Sequence, residues 1–275
     1  MNDRQAQFTD LDRALQVASE AAREAGAFLL EQFRRPQSVA YKGEVDLVTE
    51  ADVRSERMIV SRLSAEFPGH AIVGEELGQQ EGAQARYCWY VDPLDGTTNF
   101  AHGFPVFAVS IGLVEDGEPL VGVVFNPVLD ELFAAVRGRG AWLNGEPIRV
   151  SETARLAEAL LGTGFPTRKR TASPNIRYYW EFTLRSHGVR RAGAAALDLC
   201  SVACGRFDGF WEFGLKPWDT AAGVLLVREA GGRVTDFEGR PYRLGDPVLV
   251  ASNGRIHDEM CRIGRMVAEK VRLPG

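Results

Sequence analysis

The sequence predicts a mixed α/β chain built from stacked layers of helix and sheet. Apolar residues recur at helical spacing in several long segments. Between them lie short runs rich in Val, Ile, Phe and Trp that read as strands. The middle of the chain holds consecutive strands joined by tight turns, so an antiparallel block sits inside a helix–strand alternation, the pattern of layered domains. With 275 residues, 45% of them hydrophobic, the chain can bury a substantial core, as one large domain or two tightly packed halves.

The elements follow in order. Residues 9–33 read as an amphipathic helix: Leu11, Leu15, Ala18, Ala22, Ala25, Leu29 and Phe33 share one face, and Pro36 ends it. Residues 52–67 form a second helix, closed by Pro68-Gly69. HAIVG is a short strand running into Glu75-Glu76, residues 79–84 are polar loop, and RYCWYVD is a strand. FAVSIGLVEDGEPLVGVVFNPV reads as a hairpin turning at Asp116-Gly117, and ELFAAVRGRGAWLNGEPI continues the meander with Asn144-Gly145 as a turn. Then come a strand at ALLGTGF, helices over 174–187 and 194–204, and the strand DGFWEF. A helix over 218–230, closed by Gly231-Gly232, precedes the strands RVTDF and PVLVAS and a last helix over 255–272. A sub-boundary is expected near 151–154, where the meander gives way to helix–strand units. No linker marks it, so 1–275 reads as a single compact domain, an N-terminal α+β half against a C-terminal α/β half.

Bulk composition removes several classes. A net charge of −5 argues against a general nucleic-acid binder, which carries a basic patch or stripe. No stretch approaches the ~20 apolar residues of a membrane helix. The first residues lack the basic start and apolar centre of a signal peptide, so the expected location is cytoplasmic. Cys88, Cys200, Cys204 and Cys261 show no zinc spacing and read as small buried thiols. The four histidines form no HExxH-type pair, so any metal here needs oxygen ligands.

The chemistry gathers in VDPLDGTTNF, residues 91–100. Two nearby carboxylates, Asp92 and Asp95, repel unless a cation or proton lies between them. Pro93 stiffens the link between them. Clustered oxygen donors suit a hard cation, Mg²⁺ before Zn²⁺, and Leu94 offers a backbone carbonyl to the same ion. Gly96-Thr97-Thr98 supplies N–H groups of the kind that hold phosphate, and the Thr97 hydroxyl can orient a water. Acids for metals beside donors for an anion are the equipment of metal-assisted phosphate hydrolysis. Asp52, Glu75, Glu76 and Asp219 also sit where a periodic element ends. Each has a bland alternative as a helix cap or solvated acid.

The motifs DLVTEAD, GEE, DPLDGTTNF and PWDTAAGVLLVREAGG, in this order, resemble the inositol monophosphatase family of Mg²⁺-dependent, lithium-sensitive phosphatases. GTGFP at 162–166 and RRAGAAALDLCSVACGRFDGFWEFGLKPWD look most like bacterial members. The resemblance spans Lys42 to about Asn253. It implies an α/β/α/β/α layered sandwich of the inositol monophosphatase and fructose-1,6-bisphosphatase type. It also implies a homodimer and hydrolysis of monoesters such as myo-inositol 1-phosphate with two to three Mg²⁺ per subunit. By resemblance, Glu75, Asp92 and the Leu94 carbonyl hold a first metal, and Asp92, Asp95 and Asp219 a second. Glu75 serves a weaker third. Asp52 and Thr97 position the attacking water, with Glu75 counted in the catalytic set. The Gly96 and Thr97 N–H groups hold phosphate. Gly193, Ala194, Ala195 and Glu212 match positions that meet the inositol ring, with Glu75, Leu94, Asp95 and Asp219 bordering the substrate. Lys42 matches a lysine near the metals, and Glu76 adjoins them.

One departure stands out: family members often carry Thr or Ser where this chain has Ala194. The lost hydrogen bond is worth roughly 0.5–1.5 kcal/mol and bears on substrate preference. Trp89, Trp142, Trp211 and Trp218 read as packing residues. Arg168-Lys169-Arg170 reads as a solvated run that could also guide an anion. Arg190 or Arg191 is expected in a salt bridge within the core or across a dimer, and the sequence does not decide which. Rival readings are a fructose-1,6-bisphosphatase, a histidinol-phosphatase, an adenosine bisphosphate nucleotidase, or a non-catalytic regulatory scaffold of the same fold.

Overall fold

A computed structural model describes residues 3–33, 39–42, 46–79, 86–165, 173 and 175–272. Among them two sheets dominate. The larger, eight-stranded sheet contains β3 (Ala71–Gly74), β4 (Gly78–Gln79), β5 (Tyr87–Asp95), β6 (Ala108–Glu115), β7 (Glu118–Asn126), β8 (Glu131–Val136), β9 (Gly140–Leu143) and β10 (Glu146–Pro147), in the order β10-β9-β8-β7-β6-β5-β3-β4. It is antiparallel throughout except where β3 runs parallel to β5. The smaller sheet has five strands: β11 (Leu160–Thr163), β12 (Gly188–Arg190), β13 (Gly209–Phe213), β14 (Arg233–Thr235) and β15 (Val248–Ser252), in the order β12-β11-β13-β15-β14. A separate antiparallel hairpin joins β1 (Val39–Lys42) to β2 (Asp46–Thr49).

Helices lie outside and between the sheets. The helices α1 (Asp3–Phe33) and α2 (Glu50–Glu66) cover one face of the large sheet. Their apolar stripe, Leu11, Val17, Ala21, Leu29, Ile59 and Leu63, packs on Trp89, Val91, Ile111 and Val123. Next, α5 (Ala195–Ala203) and α6 (Pro217–Glu229) fill the space between the sheets, where Leu199, Val224 and Leu226 meet Val124 and Phe210. Finally α4 (Asn175–Thr183) and α7 (His257–Arg272) cover the outer face of the small sheet around Phe182, Trp211, Ile263 and Val267. The result is the five-layer α/β/α/β/α sandwich that the resemblance implied.

The turns obey local chemistry. Asp116 and Gly117 have φ of 49° and 84°, and Asn144 and Gly145 have 51° and 86°, as a two-residue hairpin with matched twist requires. Several expectations need correction. The first helix begins at Asp3, not at residue 9, since no Gly or Pro intervenes to stop it. The helix expected over 174–187 ends at Thr183, because the chain must turn into β12, a three-residue strand too short to show a period. The strands β1 and β2, four residues each, are too short to show a period and were not expected. Trp89 and Trp211 are buried as expected. Arg168-Lys169-Arg170, Pro36, Pro166 and the Lys42 side chain lie outside the described residues. No helix among them is long and apolar enough to cross a membrane.

Candidate active site

The site forms where β5 ends. Asp92 faces Ser110 of β6, but the next register pair is Asp95 with Ala108, so the ladder is irregular at Pro93-Leu94. A proline lacks the N–H that a regular ladder needs, and irregular positions tolerate it. The irregularity keeps both aspartates at one end of the sheet. Gly96 then takes φ of 96°, in the left-handed region. A Cβ there would lie 2.8 Å from the Val106 carbonyl oxygen, so only glycine makes this turn without strain. It opens α3 (Thr97–Ala101), whose five residues make N–H direction rather than a long helix dipole the relevant feature.

Both aspartates are buried, and each accepts a backbone donor. Leu94 N–H donates to Asp92 Oδ1 at 3.0 Å. Ala195 and Ala196 N–H groups donate to the two oxygens of Asp95 at 3.1 and 2.7 Å. Asp95 thereby caps α5, whose own N-cap residue, Ala194, has no side chain to do so. Residues 193–195 and the aspartate pair are locked together by this contact. Asn99 adds a second tie, its amide within donating reach of Val106 O at 2.8 Å and Ala192 O at 2.9 Å. Nothing in sequence spacing singled out Asn99; its signal was only its place inside the DGTTNF run.

Asp219 lies in the first turn of α6 and accepts Lys216 N–H at 2.7 Å. The capping role is therefore real, and it coexists with a place in the crevice. Glu212 enters from β13. Its carboxylate occupies the space beside Gly164, where a Cβ would lie 2.1 Å from the carboxylate atoms. Thr97 Oγ1 lies within donating reach of Asp52 Oδ1 at 2.9 Å and of Leu94 O at 3.0 Å.

The acids raise one another. Burial, then Glu75, Asp95 and Asp219, push Asp92 well above the usual carboxylate range. Asp95 is raised to about 6 by burial, against the pull of the α5 N–H groups. Asp219 reaches about 7, chiefly through burial, with Lys216 N–H opposing and Asp95 adding. Burial and then Asp219 and Asp95 lift Glu212 to about 8, with Arg191 opposing. A further acid that sequence reasoning missed, Asp198 of α5, is also raised by burial and by Glu212 and Asp95. Clustered carboxylates held apart from solvent favour a proton or a cation among them.

A crevice of about 240 Å³ unites these groups. Glu75, Glu76, Asp92, Leu94, Asp95 and Asp219 line its acidic side. Gly96 and Thr97 form its floor, and Gly193, Ala194, Ala195 and Glu212 its opposite wall with Arg191. Asp52 reaches it through Thr97. Of the two arginines the sequence left open, Arg191 is the one that enters the crevice. Divalent metal fits this donor set by charge and by oxygen chemistry. Among the described residues, however, no three His, Cys, Asp or Glu side chains are already gathered around one point.

The fold is a layered α/β/α/β/α sandwich, and its crevice brings clustered carboxylates beside the Gly96-Thr97 turn at the start of α3. The profile of the inositol monophosphatase family matches residues 10–267, and the chain belongs to that family. It is similar to an inositol-1-monophosphatase of Synechocystis, 47% identical over 254 residues that cover 92% of this chain and 88% of the relative. It is also similar to the Nus factor SuhB of Pseudomonas aeruginosa, 50% identical over 87% of this chain and 91% of the relative. The inositol monophosphatase structure from Anabaena superposes with a TM-score of 0.86 at 43% identity, covering 94% of this chain and 97% of the other. The chain is thus a phosphatase of a metal-dependent family.

Proposed function

We propose that this phosphatase hydrolyses polyol phosphate monoesters, myo-inositol 1-phosphate foremost, with two to three Mg²⁺ per subunit. In this reading residues 1–275 act as one compact domain in a cytoplasmic homodimer. The observation that carries the proposal is the Thr97–Asp52 hydrogen bond at the lip of the buried acids. Glu75, Asp92, Asp95, Asp219 and the Leu94 carbonyl would hold the metal. Bound Mg²⁺ supplies a more acidic water and neutralises charge on the phosphate.

The chain's own residues do the rest. With its hydroxyl hydrogen bonded to Asp52, Thr97 Oγ1 would accept a hydrogen bond from the attacking water and so aim the water's oxygen. Gly96 and Thr97 N–H groups orient the phosphate oxygens. Glu212 and residues 193–195 meet the alcohol, and the Asp95 tie to α5 fixes that wall relative to the phosphate floor. Glu212, raised to about 8, is suited to share protons with polyol hydroxyls. Lys42, in β1, is proposed to assist near the metals, and Glu76 to add negative charge at the rim.

Phosphate release across inositol 1-phosphate, fructose 1,6-bisphosphate, histidinol phosphate and adenosine bisphosphate, with and without Mg²⁺, tests this. The expected result is Mg²⁺-dependent turnover with inositol 1-phosphate preferred and inhibition by millimolar Li⁺. A large kcat/KM advantage for another ester replaces the substrate, and turnover in EDTA removes the metal. A second reading, a regulatory binding role, draws on the Pseudomonas relative named as a Nus factor. Absence of hydrolysis on every ester would favour it.

A further inference from the structure

The acid-bearing segments of the crevice come from separate stretches of chain, and one face of α2 touches two of them, the turn after β3 and the end of β5. Asp52, Ser55, Glu56, Ile59 and Leu63 are spaced i, i+3, i+4, i+7 and i+11, a single buried stripe of the helix. Its second half is apolar and belongs to the core beneath the large sheet. Its first half is polar yet no less buried, with Asp52 1% and Ser55 and Glu56 0% exposed. Burying an acid costs several kcal/mol unless it is well hydrogen-bonded, so this half-stripe needs a reason.

Its contacts supply one. Asp52 faces Thr97. Ser55 Oγ donates to the Pro93 carbonyl at 3.0 Å, inside the link between Asp92 and Asp95. Glu56 spans the turn that follows β3: Glu76 N–H donates to its Oε2 at 2.7 Å and Leu77 N–H to its Oε1 at 3.0 Å. The same turn is pinned at its start, where Glu75 N–H donates to Val91 O at 3.2 Å, one residue before Asp92. The fit is close. A Cβ on Gly74 would lie 1.8 Å from Glu56 Oε1, so β3 leaves room for the carboxylate by having no side chain there.

We infer that Glu56 is a positioning residue for metal binding: its carboxylate grips the 75–77 turn and so sets Glu75 beside Asp92. Ser55 does the same, more weakly, for the Asp92–Asp95 link. The inference rests on the reading of Glu75 as a metal ligand. Glu56 is not among the residues that line the crevice. Its charge matters because both oxygens must accept, and glutamine offers one acceptor and one donor in the same space.

The test is calorimetric titration of Mg²⁺ into the metal-stripped protein, with no substrate and no turnover. Wild type, Glu56→Gln, Glu75→Gln and the double variant form a cycle. Partners one shell out from a metal typically set affinity by about 10- to 100-fold. Glu56→Gln is therefore expected to weaken Mg²⁺ binding at least about 10-fold, and to add nothing in the Glu75→Gln background, since it acts through Glu75. Leu63→Ala, lower on the same stripe, should reduce the melting temperature but leave Mg²⁺ affinity unchanged. Gly74→Ala displaces the carboxylate from the strand side and should weaken binding like Glu56→Gln, which keeps the test decisive if that variant folds poorly. Wild-type affinity in folded Glu56→Gln, or equal weakening with and without Glu75, overturns the inference. A wild-type protein that binds no Mg²⁺ overturns the metal reading itself, and the inference with it.

Discussion

Two buried polar clusters in this protein differ in how their charge is answered. Asp92, Asp95, Asp219 and Glu212 line the crevice and Asp198 adjoins Glu212; burial raises all five, and neighbouring acids raise all but Asp95 further. Near Ser151, Asp208 is as buried as Asp95, yet it stands in a closed network. Ser151 Oγ–H donates to its Oδ1 at 2.5 Å and Leu160 N–H to its Oδ2 at 2.7 Å. Asn253 donates to Ser151 Oγ and to Thr153 O, and its own Oδ1 accepts Arg255 N–H. The difference teaches which buried acids are there for chemistry. A structural carboxylate is matched by donors from its own chain. The crevice acids also accept backbone donors, but they stand close enough to raise one another, which favours a cation or a proton among them.

Neutralising each cluster should therefore do opposite things. Asp95→Asn is expected to reduce phosphate release by roughly 10³-fold, as losing a group that stabilises transition-state charge does. The melting temperature should change little, since relief of a buried charge offsets the loss of one of the two oxygens that accept the α5 N–H groups. Turnover and thermal melts on one preparation check both halves of that statement, and intact turnover would break the comparison. Asp208→Ala should behave in reverse. It strands the Leu160 N–H and the Ser151 hydroxyl, at a cost of about 3 kcal/mol. Denaturant unfolding should show the loss, while kcat/KM stays near wild type wherever the variant is folded.

A smaller effect concerns a second closed network. His257 is fully buried, with Ser252 Oγ 2.8 Å from Nδ1 and Thr235 Oγ1 2.7 Å from Nε2. Burial, helped by Arg233, holds it at about 4, below the ordinary 6.5. The unfolded chain thus binds a proton between those values and the folded one does not. Stability from this site is complete above pH 6.5 and falls as pH drops toward 4, by up to roughly 3 kcal/mol at about 1.4 kcal/mol per pH unit. Unfolding at pH 7, 5.5 and 4 measures it, and His257→Gln should flatten its share of the slope.

The smallest expected change is at Ala194. Ala194→Ser places a hydroxyl among the residues that line the crevice, with little gain in helix capping because Asp95 already accepts the α5 N–H groups. The ratio of kcat/KM for inositol 1-phosphate to that for a non-polyol ester should rise several-fold, and an unchanged ratio would remove this position from substrate selection.

Much of the site was legible because it is local. Asp92, Leu94, Asp95, Gly96 and Thr97 lie within six residues, so their spacing alone carried a metal-and-phosphate reading. Glu212 and residues 193–195 were reached through family resemblance, since a span of about a hundred residues hides the contact between Asp95 and the α5 N-terminus. Glu56 and Ser55 were missed although their spacing is helical, because polar residues on a helix read as a solvated face unless the stripe is followed to Ile59 and Leu63. Asp198 sat in an apolar run and Arg191 among alternatives, and only packing showed that both adjoin Glu212. The short strands β4, β10 and β12 left no period to detect.

The sequence by itself determined the layered class, the order of the long helices and strands, the hairpin turns at Asp116-Gly117 and Asn144-Gly145, and the chemistry of residues 91–100. These depend on side-chain period and backbone preference, which act within a few residues. Only the tertiary structure decided that α2 would hold the 75–77 turn and the 93–97 stretch in register, that Asp95 would cap α5, and that Asp208 would stand alone among its donors while the crevice acids crowd one another. Those outcomes depend on which buried groups meet across the sheets, and the strength of each meeting is set by burial, which no local stretch of chain can fix.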